Sequence, residues 1–457
     1  MHKHDQKRGL RWRGTAAMSV ALLLAGCGGG GGDEMAPPAS CSVAEQKVWL
    51  RDYFNEWYFW YGVSPKPDPS AYATVDEYFN ALLYQGGQGF PADRWSYKEP
   101  EAKHQQFFGE GRTLGYGVYV AGREVENRPD LPLRVRFVEP KSPAAAADIR
   151  RGDEVLAVNG RAAADMIAAN DFAVLTPANS GNQVTLQLRR NGSTRSVTLT
   201  AVDFDLTPVP TSTVINTGDG RRTGYLVLSN FISQAEGPLD AAFGSFKTAG
   251  ITELVIDLRY NGGGLVSTAA KLASYIAGNS ANNQVFTQLL YNNKRSSNNS
   301  TYRFSSFGNS LGVSKVYVLT GRRTCSASEM LVNGLRPFVE VVTIGETSCG
   351  KPVGFLPQSA CGTTYSIVNF EAVNAQNQGR YFNGFQASCA VADDLDDPMG
   401  SASEALLSTA RYHASRGVCP PEPLGTGQAR ALSSRSGADR APQRSTEPDG
   451  PGGMIDR

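Results

Sequence analysis

From Gly224 onward, short apolar runs alternate with helical stretches, and that alternation constrains the fold more than any other feature of the chain. Tyr225 to Leu228 predicts a strand, Leu239 to Lys247 a helix, Glu253 to Asp257 a buried strand and Ser267 to Ile276 a second helix. Lys315 to Leu319, Ser326 to Leu335 and Val341 to Ile344 continue as strand, helix and strand. Alternation of this kind packs helices against a sheet and predicts an α/β core. Residues 280 to 310, rich in Asn and Ser, interrupt it and read as an insertion or lid. With 457 residues, 41% of them apolar, the chain can bury two or three cores.

Upstream, residues 42 to 62 form a helical stretch with Trp49, Tyr53, Phe54, Trp57 and Trp60 at spacings of three and four. Val75 to Leu83 predicts a second helix, and residues 41–110 read as a small helical domain. From Gly111 to Val202 the pattern changes to short β-runs broken by turns. Leu114-Gly115-Tyr116-Gly117-Val118 precedes one strand, and the run Arg151-Gly152-Asp153-Glu154-Val155-Leu156-Ala157-Val158-Asn159-Gly160 contains another. These segments resemble the circularly permuted PDZ domain of bacterial proteases, here over residues 111–203. The resemblance implies that the backbone of Leu114, Gly115, Tyr116 and Gly117 receives a peptide carboxylate, while the neighbouring strand edge accepts the peptide as an added strand.

The N-terminus reads as a targeting segment, residues 1–26. Lys3, Lys7, Arg8, Arg11 and Arg13 precede an apolar stretch, Thr15 to Leu24, too short to span a bilayer. Leu24-Ala25-Gly26-Cys27 resembles the bacterial lipobox, which implies lipidation of Cys27. Gly28 follows the cysteine, which by resemblance to sorted lipoproteins implies the outer membrane, facing the periplasm. Residues 27–40, with glycines Gly28 to Gly32 and two prolines, read as a tether. Beyond residue 26 the chain carries 39 basic and 42 acidic side chains, which gives no nucleic-acid footprint. Six further cysteines in an exported chain predict disulfides. Fifteen pairings are open; we expect Cys325–Cys349, Cys361–Cys389 and Cys41–Cys419. Residues 419–457, rich in Pro, Gly, Ser and Arg, read as a disordered tail.

Ser326 lies in Thr324-Cys325-Ser326-Ala327-Ser328-Glu329-Met330, at a predicted helix start. Lys351 follows 25 residues later in Ser348-Cys349-Gly350-Lys351-Pro352. A serine hydroxyl needs a base to become a nucleophile. Of the four histidines, His2 and His4 fall in the targeting segment, and His104 and His413 lie far from the motifs in sequence. Lys351 has mostly apolar neighbours, and burial favours the neutral amine. A Ser-Lys pair is a variant of the triad logic. Ser326-x-x-Glu329 also matches a helix-capping box, which gives the serine a purely structural reading. Asp257-Leu258-Arg259-Tyr260-Asn261-Gly262-Gly263-Gly264 follows a buried strand. Its glycines permit a sharp turn with an N–H aimed at a developing oxyanion. Nothing in the pattern asks for a cofactor or a metal.

In the order PDZ segment, DLRxNGGG, SASE and GK, the chain resembles the C-terminal processing (tail-specific) serine proteases over residues 42–415. The resemblance implies an α/β and β multidomain architecture with a protease core of the ClpP/crotonase-like type over residues 204–418. It implies Ser326 as nucleophile, Lys351 as general base, and the N–H groups of Ala327 and of Gly264 or Gly263 as oxyanion hole. The implied reaction is endopeptide hydrolysis through an acyl-enzyme, acting on unfolded or tail-exposed proteins of the cell envelope. Many members place a glutamine four residues after the lysine. Here that position is Phe355, and Gln358 falls at an odd offset that would turn it to the other face of a strand. The departure leaves a second reading open: a catalytically weak, PDZ-containing peptide-binding or chaperone-like envelope protein. It also makes Glu329 a candidate helper to the lysine.

Overall fold

The computed structural model describes residues 35–216, 220–422 and 453–456. The chain divides into a short N-terminal unit, Met1–Met35, and a body, Ala36–Arg457. The expected signal segment and Cys27 lie outside the described residues. Among those residues, no helix is long and apolar enough to cross a membrane.

The body opens with helix α1, Val43–Trp57, capped by the Ser42 hydroxyl, which accepts the Glu45 N–H. Trp49, Leu50, Tyr53, Phe54 and Trp57 are buried, each worth roughly 2–3 kcal/mol when removed from water. Helix α2, Val75–Leu82, starts in a capping box between Thr74 and Glu77. Both helices pack onto the distant core. The rings of Trp49 and Phe79 meet Tyr365 at 5.5 and 6.0 Å, and the Tyr53 hydroxyl donates to the Leu356 carbonyl at 3.2 Å.

Residues 112–205 form a β-domain. Strand β1, Arg112–Gly115, pairs antiparallel with β7, Val202–Asp205, so the chain enters and leaves side by side. Between them lie β2, Val118–Val120; β3, Leu133–Val138; β4, Glu154–Val158; β5, Gln183–Arg190; and β6, Ser193–Thr200. They order as β2-β3-β4-β5-β6, which leaves β2 at an edge. Val135, Val155, Val158, Leu186 and Leu188 alternate into a core of their own.

The core has two six-stranded sheets. The first runs β8, Thr211–Asn216; β9, Arg222–Val227; β10, Glu253–Asp257; β14, Lys315–Thr320; β15, Glu340–Gly345; and β18, Cys389–Ala390. Only β8 is antiparallel to its neighbour. The second runs β11, Gly264–Leu265; β19, Met454–Ile455; β16, Val353–Phe355; β17, Phe370–Val373; β12, Val285–Tyr291; and β13, Ser300–Arg303. Helix α3, Glu236–Ala249, packs on the first sheet and α4, Val266–Ala277, against the second. Helix α5, Ala327–Leu335, touches both sheets, and α6, Ala405–Arg416, covers the other face of the first. The strands and helices expected from Tyr225 to Ile344 are therefore present, with ends shifted by a few residues.

Several expectations change. Residues 280–310 are no lid: they contribute the hairpin β12–β13 at the edge of the second sheet. Part of the expected disordered tail is a strand, because Met454 and Ile455 fill the position between β11 and β16. Cys325–Cys349 forms as expected. Cys41 pairs with Cys361, however, and Cys389 with Cys419. Packing of α1 on the Tyr365 strand carries Cys41 to the Cys361 turn. Edge strand β18 and the exit from α6 bring Cys389 and Cys419 together.

Buried ions fix the β-domain to the core. Arg151 donates to the Tyr260 hydroxyl at 2.5 Å, to the Asp393 carboxylate at 2.7 Å and to the Asp394 carbonyl at 2.7 Å. Arg259, fully buried, binds Asp257, Asp393 and Glu404 at 2.6–2.7 Å. The two arginines hold the Asp393 carboxyl well below the usual range.

Candidate active site

The site begins where β10 ends. Asn261 anchors the glycine turn: its amide donates to the Leu228 carbonyl at 2.9 Å, and its Oδ1 accepts the Gly263 N–H at 2.8 Å. Gly263 is thereby removed as an oxyanion donor, correcting one of the two expected positions. Gly264 differs. Its neighbours Gly263 and Leu265 bond to Phe231 on one side. A strand alternates its N–H directions, so the Gly264 N–H faces the other way, toward Gly453 in the register with β19. Gly263 and Gly264 have φ of +113° and +136°, a backbone that side chains oppose. A Cβ on Gly263 would lie 2.9 Å from Ser326 Cβ and 3.1 Å from both the Ala327 nitrogen and the Gly453 carbonyl oxygen. These groups therefore surround one small volume.

Ser326 stands at the entry to α5 with φ +60° and ψ −115°, a strained conformation for a residue with a side chain. The Asn261 carbonyl holds this turn by accepting the Cys325 N–H at 3.1 Å and the Ser328 hydroxyl at 3.0 Å. The two residues of the expected capping box, Ser326 and Glu329, face each other at this helix start. Glu329 accepts the Ser326 N–H at 3.0 Å, but the buried Ser326 hydroxyl has no hydrogen-bond partner among the described residues. An unused hydroxyl at a strained helix start is poor economy for a cap and suits a reacting group.

Lys351 is 3% exposed. Burial drives its amine down to about 7, against the opposing pull of the Asp93 and Glu329 carboxylates. Glu329 joins the serine and lysine segments. Besides the Ser326 N–H, it accepts the Lys351 and Gly350 N–H groups at 2.8 Å and the Ser348 hydroxyl at 2.5 Å. Burial pushes its carboxyl up, and these donors restrain the rise. The disulfide Cys325–Cys349 ties the same two segments beside it. Phe355, at the position of the expected glutamine, sets its ring centroid 4.0 Å from Lys351 Nζ. Gln358 lies on another strand, paired with Tyr365.

Among the described residues, the histidines lie elsewhere. His104 bonds to Glu99 at 3.0 Å, and His413 sits beside Tyr317 on α6. Of the expected peptide-binding loop, the Tyr116 carbonyl accepts the Ala144 N–H and the Gly117 carbonyl the Glu139 N–H, which fixes the turn after Leu114 and Gly115. A cavity of about 270 Å³ runs from Tyr119 on edge strand β2, past Phe137 and Glu139, to Lys351. Burial lifts the Glu139 carboxyl to about 8.

Residues 222–373 match the family described as peptidase family S41, and residues 45–97 match its N-terminal domain. The core is thus similar to peptidase family S41 over residues 222–373. Residues 114–201 match the PDZ domain, so the match to family S41 follows a match to a PDZ module. The chain is 26% identical over 233 residues to the carboxyl-terminal-processing protease of Picosynechococcus sp., covering 50% of this chain and 53% of that protein. It is 25% identical over 214 residues to the carboxy-terminal processing protease CtpB of Bacillus subtilis, covering 46% and 42%. It thus spans about half the length of the curated relatives it matches. A crystal structure assigned to an S41 protease from Bacteroides fragilis superposes with TM-score 0.64 at 25% identity, covering 81% of this chain and 97% of that one.

Sequence reasoning did not single out Asn261 or Asp93. Asn261 carried a signal, since it directly precedes the core's glycines. Asp93 carried none, because only tertiary packing brings it near Lys351.

Proposed function

We propose that the chain is a serine endopeptidase that works through Ser326 and Lys351. The convergence of Ser326, the Ala327 and Gly264 nitrogens and Lys351 around the backbone of Gly453 carries this reading. A neutral Lys351 amine takes the Ser326 proton as Oγ adds to a peptide carbonyl. The N–H groups of Gly264 and Ala327 receive the charge that develops on the carbonyl oxygen. Lys351 then returns the proton to the leaving amine, and water hydrolyses the acyl-serine by the same exchange. Glu329 keeps the two segments in register, and the Phe355 ring holds the amine where a glutamine could have done so.

The substrates on this reading are unfolded proteins with accessible C-termini, engaged by the PDZ module and led along the cavity toward Lys351. The relatives' names and the PDZ module support that choice. The Cys27 segment supports a lipid-anchored protein of the outer membrane, facing the periplasm. The test compares wild type with Ser326→Ala and Lys351→Ala on an unfolded substrate offered with varied C-terminal residues. We expect cleavage by wild type alone. Full activity in the serine variant would overturn the proposal.

A further inference from the structure

Strand β19 pairs parallel with β11 on one side, Gly264 with Met454 and Leu265 with Ile455. It pairs parallel with β16 on the other, Gly354 with Met454 and Phe355 with Ile455. Adjacent strands lie about 4.8 Å apart, so β11 and β16 bound a slot roughly 9–10 Å wide, the room for one strand. Met454 and Ile455 are fully buried in it.

Three features give the slot chemical selectivity. At its head, Gly453 presents its carbonyl to the Gly264 N–H close to the Ala327 nitrogen, while a Cβ there would lie 2.6 Å from the Phe355 ring and 3.3 Å from Lys351 Nζ. Midway, Ile455 joins a buried cluster with Phe107, Phe108, Leu206, Ile232 and Leu265. At the far end, the Asp456 carboxylate accepts the hydroxyls of Tyr302 at 2.6 Å, Tyr291 at 2.8 Å and Ser300 at 3.5 Å. The Asp456 N–H donates to the Phe355 carbonyl at 3.1 Å. These donors come from the hairpin β12–β13 and have no counterpart in the serine and lysine motifs.

We propose that the slot is a strand-binding subsite for an extended segment of the pattern glycine, apolar, apolar, acidic, and that residues 453–456 occupy it as a built-in pseudosubstrate. Gly453 then sits where a reacting carbonyl would sit, and Met454, Ile455 and Asp456 fill the positions C-terminal to it. The Ser326 hydroxyl has no hydrogen-bond partner among the described residues while the segment is in place. Any incoming chain competes with this strand for the same N–H and carbonyl groups. The consequence for cleavage rests on the peptidase reading above; the binding claim does not.

The test has two arms, both in the full chain. Met454→Pro removes an N–H that faces β16, and Asp456→Lys places a cation among the three hydroxyls. A tethered segment at an effective concentration near 1 mM, bound at about 0.1 mM, raises KM about tenfold. Both variants should therefore lower KM for an unfolded substrate about tenfold, with kcat unchanged. In the second arm, acetyl-Gly-Met-Ile-Asp-amide is titrated into Ser326→Ala and into Ser326→Ala carrying Met454→Pro. We expect the second protein to bind about tenfold more tightly, and Tyr302→Phe in that background to reduce its preference for this peptide over acetyl-Gly-Met-Ile-Asn-amide. Tighter binding without cleavage by any variant would retain this inference and remove the peptidase reading. Unchanged KM together with equal peptide affinity in both proteins would overturn the inference and leave the peptidase reading standing.

Discussion

Lys351 holds its Nζ 4.0 Å from the ring centroid of Phe355. An aromatic face favours the ammonium, whereas burial favours the amine, and burial wins here by bringing the group to about 7. The neutral amine is the form that accepts a proton. Activity should therefore climb as pH rises through about 7 and level off above it. Phe355→Leu removes the ring's support for the cation and should move the rising limb down by roughly half a unit. A pH profile that does not move would show that the ring only fills space.

Stability has its own pH signature. The folded lysine titrates below its unfolded value of about 10.5, so the unfolded chain binds more protons between the two values. The burial penalty is complete below about 7 and fades as pH rises toward the unfolded value. Replacing the amine with a neutral group of similar length, Lys351→Met, should raise the melting temperature more at pH 7 than at pH 10. Equal gains at both values would mean that the group is not held down by burial.

Glu329 uses both carboxylate oxygens on donors from two segments. Glu329→Gln turns one oxygen into a donor facing other donors. We expect a loss of about 2–4 kcal/mol in denaturant unfolding, with cleavage lost to a greater degree than folding. A variant as stable and as active as wild type would remove Glu329 as the organiser of the pair.

The disulfide Cys325–Cys349 spans 24 residues and joins the same two segments. Replacing both cysteines with alanine should cost about 3 kcal/mol in chain entropy. It should also lower kcat, since the serine and lysine segments are then held only by Glu329 and by the Cys349 N–H bond to the Thr324 carbonyl at 3.0 Å. Mass mapping that finds both thiols free in the native protein would reject this role.

Arg151 reaches from the PDZ module into the loop around Asp393. Arg151→Ala leaves a buried carboxylate short of a partner, a loss of about 3–5 kcal/mol. Hydrogen exchange should rise over residues 111–203 and around Asp393 while the sheet from β9 to β15 stays protected. Uniform exchange throughout would place the weakness in the core instead.

Much of this was legible in the sequence because it was local. The alternation from Tyr225 to Ile344 marked the first sheet, and Asp257 to Gly264, Ser326 and Lys351 are the segments that meet at the candidate site. What sequence hid was long-range. Cys41 reaches Cys361 only because the α1 aromatics settle against Tyr365. Residues 280–310 looked irregular because polar stretches on both sides of β12 and the polar strand β13 outweigh the apolar residues of β12. Gly453 to Asp456, in a segment rich in glycine and proline, owe their strand to partners supplied by β11 and β16 rather than to any propensity of their own.

The gap between β11 and β16 has a further consequence. A polypeptide can complete that sheet only by offering its backbone groups, and a folded protein has already spent them internally. Cleavage rates for different targets should therefore follow how often each target loses local structure, more than the sequence at the bond cut. The slot would serve as a gauge of folding state, sparing intact neighbours at any concentration and removing those that have begun to come apart.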